Sequence, residues 1–570
     1  MIFKNILDDL NISRNDFFYL LILTVFSILI TYNMMIFNQS LGIYCSDVFI
    51  YLSNSLVFAG YPSSILYLYL SPVVCILTAI LFKLGFLSEM SLYLVTGIFC
   101  IIANFGIYVL LKNRFSSLLS LCGAFLFGSL SLCLLWWANG TLDVPAVALS
   151  IWSIIFTVLA IDRDSKYYMI AIPFFVLAVF TRYTALFLLP LILLYYLSFH
   201  DFFSNLDLFF RNREDFAIKV KSYIKSEEFR NILKGCAIAF VLVVLFSASI
   251  LAYGSHLSFL TQSSTFASGS KGEVIDNAYT TDTFFYLHDF PNFLFADNVS
   301  FDGVIPVLNG SSLMSYLLIG LFAIGILLFA YKLFNAKRDE DSKYKNIVGI
   351  LFIALLVISI LSFRINSIIT ITILLADFVI LFSFFKKIGI DREIYSFNIL
   401  MLSWFLVYFL FFTFLNIKVN RYIITVFPAF IYFVIFALNE ILDWCGKFKF
   451  LKFKKQNLLN LIPIVLIVFC IFSAFTFTHT VHYDEDFSKN KVIADYIEDY
   501  DPAYASKDIA VFNQRSYNWF LKMYTIPLTD DQLDYLESSN ITYYISDDKF
   551  NLENYTMIYQ KEGLYLYERN

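Results

Sequence analysis

Apolar residues fill this chain up to about residue 479 in long runs separated by short polar segments. Inside a bilayer each backbone N–H and C=O must find its partner within its own segment, so runs of this length predict membrane-crossing helices. The pattern predicts about thirteen of them, most at the length a crossing requires, with two short ones of about 15 residues on either side of Arg182. They lie near 17–37, 91–111, 116–136, 144–161, 167–181, 183–198, 236–253, 314–333, 347–363, 367–385, 396–415, 422–443 and 459–479. A further apolar run, 64–86, follows Pro62, Ser63 and Ser64 and contains Pro72. Proline interrupts helical hydrogen bonding, so this run fits a broken interfacial helix better than a straight crossing.

After His479 the apolar runs shorten and Asp, Glu, Lys and Asn return. Helical spacing of Val492, Tyr496, Ile497 and Tyr500 predicts a helix over 490–500. Strands are predicted at 509–512 and 541–545, helices at 515–523 and 530–538, and a hairpin of 556–559 with 564–567 around Gly563. Alternating strands and helices predict a small α/β domain. The expected fold class is thus a polytopic α-helical membrane protein with interfacial helices in its first outer loop and a C-terminal α/β domain. Residues 1–479 form the membrane part and 480–570 the tail domain. The tail has no glycine-rich phosphate loop, and Asp484-Glu485-Asp486 reads as a solvated linker.

Composition supports a membrane protein: 59% of residues are hydrophobic and 15% charged, with a mean hydropathy of +0.73. Soluble domains carry about 25% charge. No basic stripe lies outside the short loops, which excludes nucleic acid as an expected partner. The eight cysteines fall mostly in apolar runs and form no CxxC, so neither a redox pair nor a zinc knuckle is indicated.

Charge distribution orients the chain. Lys and Arg gather on cytoplasmic sides of membranes. If 64–86 does not cross, most of them fall on one side: Lys112 with Arg114, Arg163 with Lys166, Lys386 with Lys387, and the Lys447–Lys455 cluster. The outer loops then hold only Lys83, Arg182, Lys271, Arg364, Lys418 and Arg421. A multi-pass cell-membrane protein is expected, with a cytoplasmic N-terminus and an extracytoplasmic tail domain.

Two acids open helices on that outer side. Ser46-Asp47 begins a helix ending at Gly60-Tyr61-Pro62, with Ser46 as the expected N-cap and Gly60 as the C-cap. Asp47, Tyr51, Asn54 and Ser55 share one face, and Val48, Phe49, Leu52 and Leu56 cover the other. This predicts a helix along the membrane surface with its polar side toward a substrate cavity. The dipole at its start favours an ionised Asp47, which can take a proton from a hydroxyl. Asp143 follows Trp136-Trp137-Ala138-Asn139-Gly140-Thr141-Leu142, whose tryptophans fit an interfacial aromatic belt. Each acid has a plainer reading as a helix-start residue. Arg182, Arg364, Lys418 and Arg421 break the charge rule. Such cations either snorkel to lipid phosphates or hold a phosphate in a site. Asp377 lies mid-span and, like Asn104, reads as a structural hydrogen-bonding group.

The segment Ser46-Asp47-Val48-Phe49-Ile50-Tyr51, then Gly60-Tyr61-Pro62, resembles the start of the GT-C fold glycosyltransferases, which include protein O-mannosyltransferases and lipid A aminoarabinose transferases. The interfacial run 64–86, the second acid Asp143, Thr181-Arg182-Tyr183 with Pro190, and Arg421-Tyr422 with Pro428 are similar to later elements of that pattern. The resemblance covers roughly residues 15–440 plus an outer tail domain. It implies sugar transfer from a polyprenyl- or dolichyl-phosphate donor to a protein, lipid or glycan acceptor. Asp47 would be the base and Asp143 would orient, while Arg182, Arg364, Lys418 and Arg421 hold the phosphate and Tyr51 and Asn54 line the cavity. Asp47 is followed by Val48 where many relatives carry a further acid. No metal ligand is therefore assigned, and a divalent metal ion stays open as a cofactor. The competing class is a transporter or lipid flippase, supported by the helix number and Asp377; a polymerase or ligase of surface glycans shares the lipid donor but not the early acid.

Overall fold

The computed structural model describes residues 7–62, 72–199, 212–252, 282–301, 306–335, 350–351, 354–355, 357–359, 361–362, 367–388, 392–415, 418–447, 460–483 and 487–570. Among them, eight helices are long and apolar enough to cross a membrane: Asp16–Leu41, Glu89–Lys112, Asp143–Asp162, Glu227–Ala252, Leu313–Leu333, Ser396–Thr413, Asn420–Cys445 and Leu461–Thr480. Shorter apolar helices accompany them, including Ser46–Ala59, Pro72–Lys83, Ser117–Phe127, Ser165–Thr181 and Tyr183–Phe199. The protein is a multi-pass membrane protein. Eight of the 17 positions of the 347–363 run, Arg364 and Asp484–Asp486 lie outside the described residues.

The apolar run 116–136 does not form one straight helix. It divides into Ser117–Phe127 and Ser131–Leu135, because Gly128 and Ser129 interrupt the ladder. Of the 64–86 run, the described part is the helix Pro72–Lys83. Its 12 residues span about 18 Å, less than the ~30 Å hydrocarbon core.

Small residues bring helices into close contact. The Asp143–Asp162 helix packs on Glu89–Lys112 and on Tyr168–Thr181, and Glu227–Ala252 packs on Tyr168–Thr181. At the last contact a Cβ on Gly235 would stand 2.5 Å from the Tyr168 carbonyl oxygen. Leu313–Asn335 meets Phe427–Lys447, and there a Cβ on Gly325 would collide with the Phe433 carbonyl oxygen. Without a hydrophobic driving force in lipid, such close approaches are how helices gain contact.

Two small sheets complete the structure. In the first, β1 (Ala296–Ser300) pairs antiparallel with β2 (Val307–Ser311) and parallel with β3 (Val481–His482). It joins the loop before Leu313 to the entry of the tail. The second has five strands in the order β5-β4-β6-β8-β7. Here β4 (Ile509–Val511) lies parallel to both β5 (Ile526–Pro527) and β6 (Tyr543–Ser546), and β7 (Tyr555–Lys561) and β8 (Leu564–Arg569) form an antiparallel hairpin. Helix Lys489–Tyr500 buries Ile493, Ala494 and Ile497 in one apolar cluster with Ile509, Val511, Tyr543 and Leu566.

The tail packs directly on the membrane part. Phe520 meets Phe49 with ring centroids 5.5 Å apart. Trp519 stacks on Phe82 at 5.7 Å and donates its indole N–H to Glu89 at 2.9 Å. Phe487 packs near Tyr44 and Phe301.

Gly325→Ala is expected to destabilise the fold by about 1–3 kcal/mol, the usual cost of overpacking. Gly320→Ala, where an added Cβ would meet nothing within 4 Å, serves as the control. Thermal midpoints in detergent check this: the Gly325 variant falls and the Gly320 variant holds.

Candidate functional site

Cys45 is extended and caps the helix Ser46–Ala59, so the cap lies one residue before the expected Ser46. Asp47 falls in its first turn, and Gly60 closes it in the left-handed conformation at φ 93°. The helix is buried from Val48 to Val57. This corrects the expectation of a surface helix with an open polar face: the membrane helices cover one side and the tail domain another. Tyr51 lies within electrostatic reach of Asp47, Arg421 and Arg182. Asn54 is fully buried.

The turn before Asp143 is held by a polar lattice. Asn139 donates to the Tyr44 hydroxyl at 2.8 Å and accepts from the Thr141 hydroxyl at 2.7 Å. The Tyr44 hydroxyl donates to the Leu135 carbonyl at 2.7 Å. Gly140, at φ 89°, leaves room for Val48, which would stand 2.9 Å from a Cβ there. The two acid-bearing segments are thereby packed together. Trp136 and Trp137 are buried, not an interfacial belt. Trp137 donates to Thr31 at 2.9 Å, and Trp136 donates to Asn420 at 3.1 Å.

Arg182 follows the Tyr168–Thr181 helix as its C-cap. Arg421 lies in the 3-10 turn Asn420–Val426. Asn420 anchors that turn by donating to the Pro306 carbonyl at 2.7 Å. The turn and the helix end carry two guanidinium groups to the two acids. Arg182 is ion-paired with Asp143 through a hydrogen bond. Arg421 hydrogen-bonds Asp47 through Nη2 and approaches the Cys45 Sγ at 3.2 Å through Nη1. Its Nε stands 3.6 Å from Asp143 Oδ2, close enough for charge attraction but not a hydrogen bond. Tyr422 lies beneath both cations, 4.5 Å from Arg182 and 6.0 Å from Arg421, and Trp136 is 5.4 Å from Arg421.

The result is a neutral, buried chain of alternating charge: Asp47, Arg421, Asp143, Arg182. Asp143 is 1% exposed on its side chain and Arg421 10%, whereas Asp47 keeps 30%. Burial pushes the Asp47 carboxyl up, but the charge and hydrogen bond of Arg421, with the charges of Arg515 and Arg182, outweigh it. Asp47 is therefore held below the usual carboxylate range. A depressed acid contributes stability above its unfolded pKa and loses it only as pH falls through the folded value.

The other expected residues stand elsewhere. Lys418 is buried and donates to the Leu415 carbonyl at 2.7 Å. No ion pair joins it to the cluster among the described residues. Burial pushes its ammonium down, with Asp282 acting in the opposite sense. Arg364 lies outside the described residues. Asn104 donates to Ser27 at 2.9 Å, a structural hydrogen bond. Asp377 is buried and, among the described residues, has no hydrogen-bond partner. Among the described residues no group of three or more His, Cys, Asp and Glu is arranged to hold a metal.

An apolar cavity of about 520 Å³ lies beside the cluster's helices. Val73, Leu77, Phe99, Leu149, Trp152 and Leu177 are among its lining. Leu149 lies on the helix that begins at Asp143, and Leu177 on the helix that ends beside Arg182.

Sequence reading missed Arg515. It donates to the Ser46 hydroxyl at 3.2 Å and carries charge to Asp47 from the tail domain. A single Arg in a polar domain gives no pattern by which to find it.

Removing Arg421 leaves Asp143 buried beside an incomplete set of partners. Breaking a buried pair costs about 3–5 kcal/mol. Arg421→Met is therefore expected to lower the thermal midpoint in detergent more than Lys418→Met.

Residues 70–206 match the family model of dolichyl-phosphate-mannose-protein mannosyltransferases. No curated protein matches the chain. Among solved structures, the chain is similar to ArnT from Cupriavidus metallidurans bound to undecaprenyl phosphate, with a TM-score of 0.54 at 10% identity over 96% of this chain and 97% of that one. It is also similar to the archaeal oligosaccharyltransferase AglB from Archaeoglobus fulgidus in complex with an inhibitory peptide and a dolichol-phosphate, with a TM-score of 0.53 at 12% identity over 94% and 70%. The chain has the fold of the GT-C membrane glycosyltransferases.

Proposed function

We propose that the protein transfers a sugar from a polyprenyl- or dolichyl-phosphate donor to a hydroxyl-bearing protein, lipid or glycan acceptor on the outer face of the membrane. The observation that carries this reading is the contact between Asp47 and Arg421, which are 374 residues apart in the chain. It unites an ionised base with a phosphate-binding cation in one place. The lipids named with the two similar structures, undecaprenyl phosphate and dolichol-phosphate, support the donor class. The apolar cavity running along the Asp143 and Arg182 helices supports a place for an alkyl chain.

The acceptor oxygen attacks the sugar anomeric carbon. The bond from that carbon to the phosphate oxygen breaks, and its electron pair leaves with the phosphate. Asp47 takes the acceptor proton. A single displacement from the opposite face inverts the anomeric centre. The leaving phosphate gains charge in the transition state, and each guanidinium offers five N–H donors in a planar fork. Arg421 and Arg182 would receive it, while Asp143 holds Arg182 in place. Lys418 would serve the lipid phosphate only from the neighbouring loop.

Purified protein incubated with radiolabelled lipid-phosphate sugars tests the reading. Asp47→Asn is expected to lower transfer by about 10²-fold or more in a protein that still folds, with its thermal midpoint lowered because Arg421 loses its hydrogen-bonded carboxylate. Arg421→Lys is expected to lower it by about 10²–10³-fold. Normal transfer by the folded Asp47→Asn protein would remove Asp47 as the base.

A further inference from the structure

The proposed chemistry gives Arg421 two tasks. In the present geometry it neutralises Asp47. In the reaction it is needed by the leaving phosphate. A carboxylate that is largely buried and loses its cation tends to take up a proton, which would disable it as a base. A second cation beside Asp47 removes this conflict.

The tail domain supplies one. Arg515 lies on the short helix Gln514–Phe520, and its guanidinium meets Ser46, the residue next to Asp47. The groups that face Asp47 are Arg421, Arg515 and Arg182, with Cys45 and Tyr51 from its own segment and Asp143 beyond Arg421. Three of them are cations, and Arg515 alone comes from outside the membrane part.

The helix carrying Arg515 is fixed at both ends. Gln514 donates to the Thr525 carbonyl at 2.5 Å. Asn518 accepts from the Thr525 amide and hydroxyl at 2.7 and 2.8 Å. Trp519 is buried against Phe82 and bonded to Glu89, and Phe520 packs on Phe49 two residues from Asp47. The position of the helix that carries Arg515 is thus set by packing.

We propose that the tail domain completes the active site, with Arg515 acting as a positioning residue that keeps Asp47 charged while Arg421 engages the donor phosphate. This rests on the assignment of Asp47 as the base. Arg515 touches Ser46 and acts through Asp47; it does not contact the reacting atoms.

The test is the pH dependence of transfer by the full chain with a lipid-phosphate sugar donor. The kcat profile reports the substrate complex and the kcat/KM profile the free protein. Arg515→Ala should move the acid limb of kcat to higher pH by about one unit, a tenfold change in proton affinity. The limb of kcat/KM should move less, because Arg421 still pairs with Asp47 in the free protein. Arg515→Lys should return the kcat limb most of the way, since it restores the charge. A folded Arg515→Ala protein with an unmoved kcat limb overturns the proposal, as does an equal shift in Arg515→Lys. Asp47→Asn is run alongside: if it is inactive while Arg515→Ala is indifferent, only the role of Arg515 fails. If Asp47→Asn is active, the assignment beneath it fails as well.

Discussion

Arg421 stands between two carboxylates in a place with little water, and the site depends on that arrangement. A buried ion is costly unless its partners are close and its hydrogen bonds are made. Arg421 meets this by hydrogen-bonding Asp47, attracting Asp143 and lying near Trp136 and Tyr422. The partners come from the first helix pair, the second turn and a late 3-10 segment. One side chain therefore ties together parts of the chain that share no local structure.

The cluster is neutral, which permits its burial. Two acids and two arginines cancel, so in the proposed reaction an arriving donor phosphodiester adds one negative charge and the departing lipid phosphate a second as the sugar leaves. The polar lattice of Tyr44, Asn139 and Thr141 keeps the Asp143 turn from following such a shift. The aromatic faces under the cations hold them without competing for their N–H donors.

Several parts of this were legible in the sequence for a clear reason. A charge at the end of an apolar run stands out, which is why Asp47, Asp143, Arg182 and Arg421 can be picked out before any coordinates exist. Their pairing cannot, because nothing local links residues 374 positions apart. The strand at 509–511 and the hairpin around Gly563 follow ordinary alternation and turn signals. The burial of the 46–59 helix, Trp136 and Trp137 does not, since an apolar face looks the same whether lipid or protein covers it. The break at Gly128 and Ser129 was hidden within a run that is apolar on both sides.

The three-stranded sheet has a mechanical consequence. Strand β3 pins the entrance of the tail to β1, and the Trp519 contact pins it again beside Glu89. Phe520 on Phe49 and Phe487 beside Tyr44 and Phe301 add further attachments. The tail is thus clamped onto the membrane part rather than tethered to it, and Arg515 cannot be withdrawn from Ser46 without peeling those contacts apart.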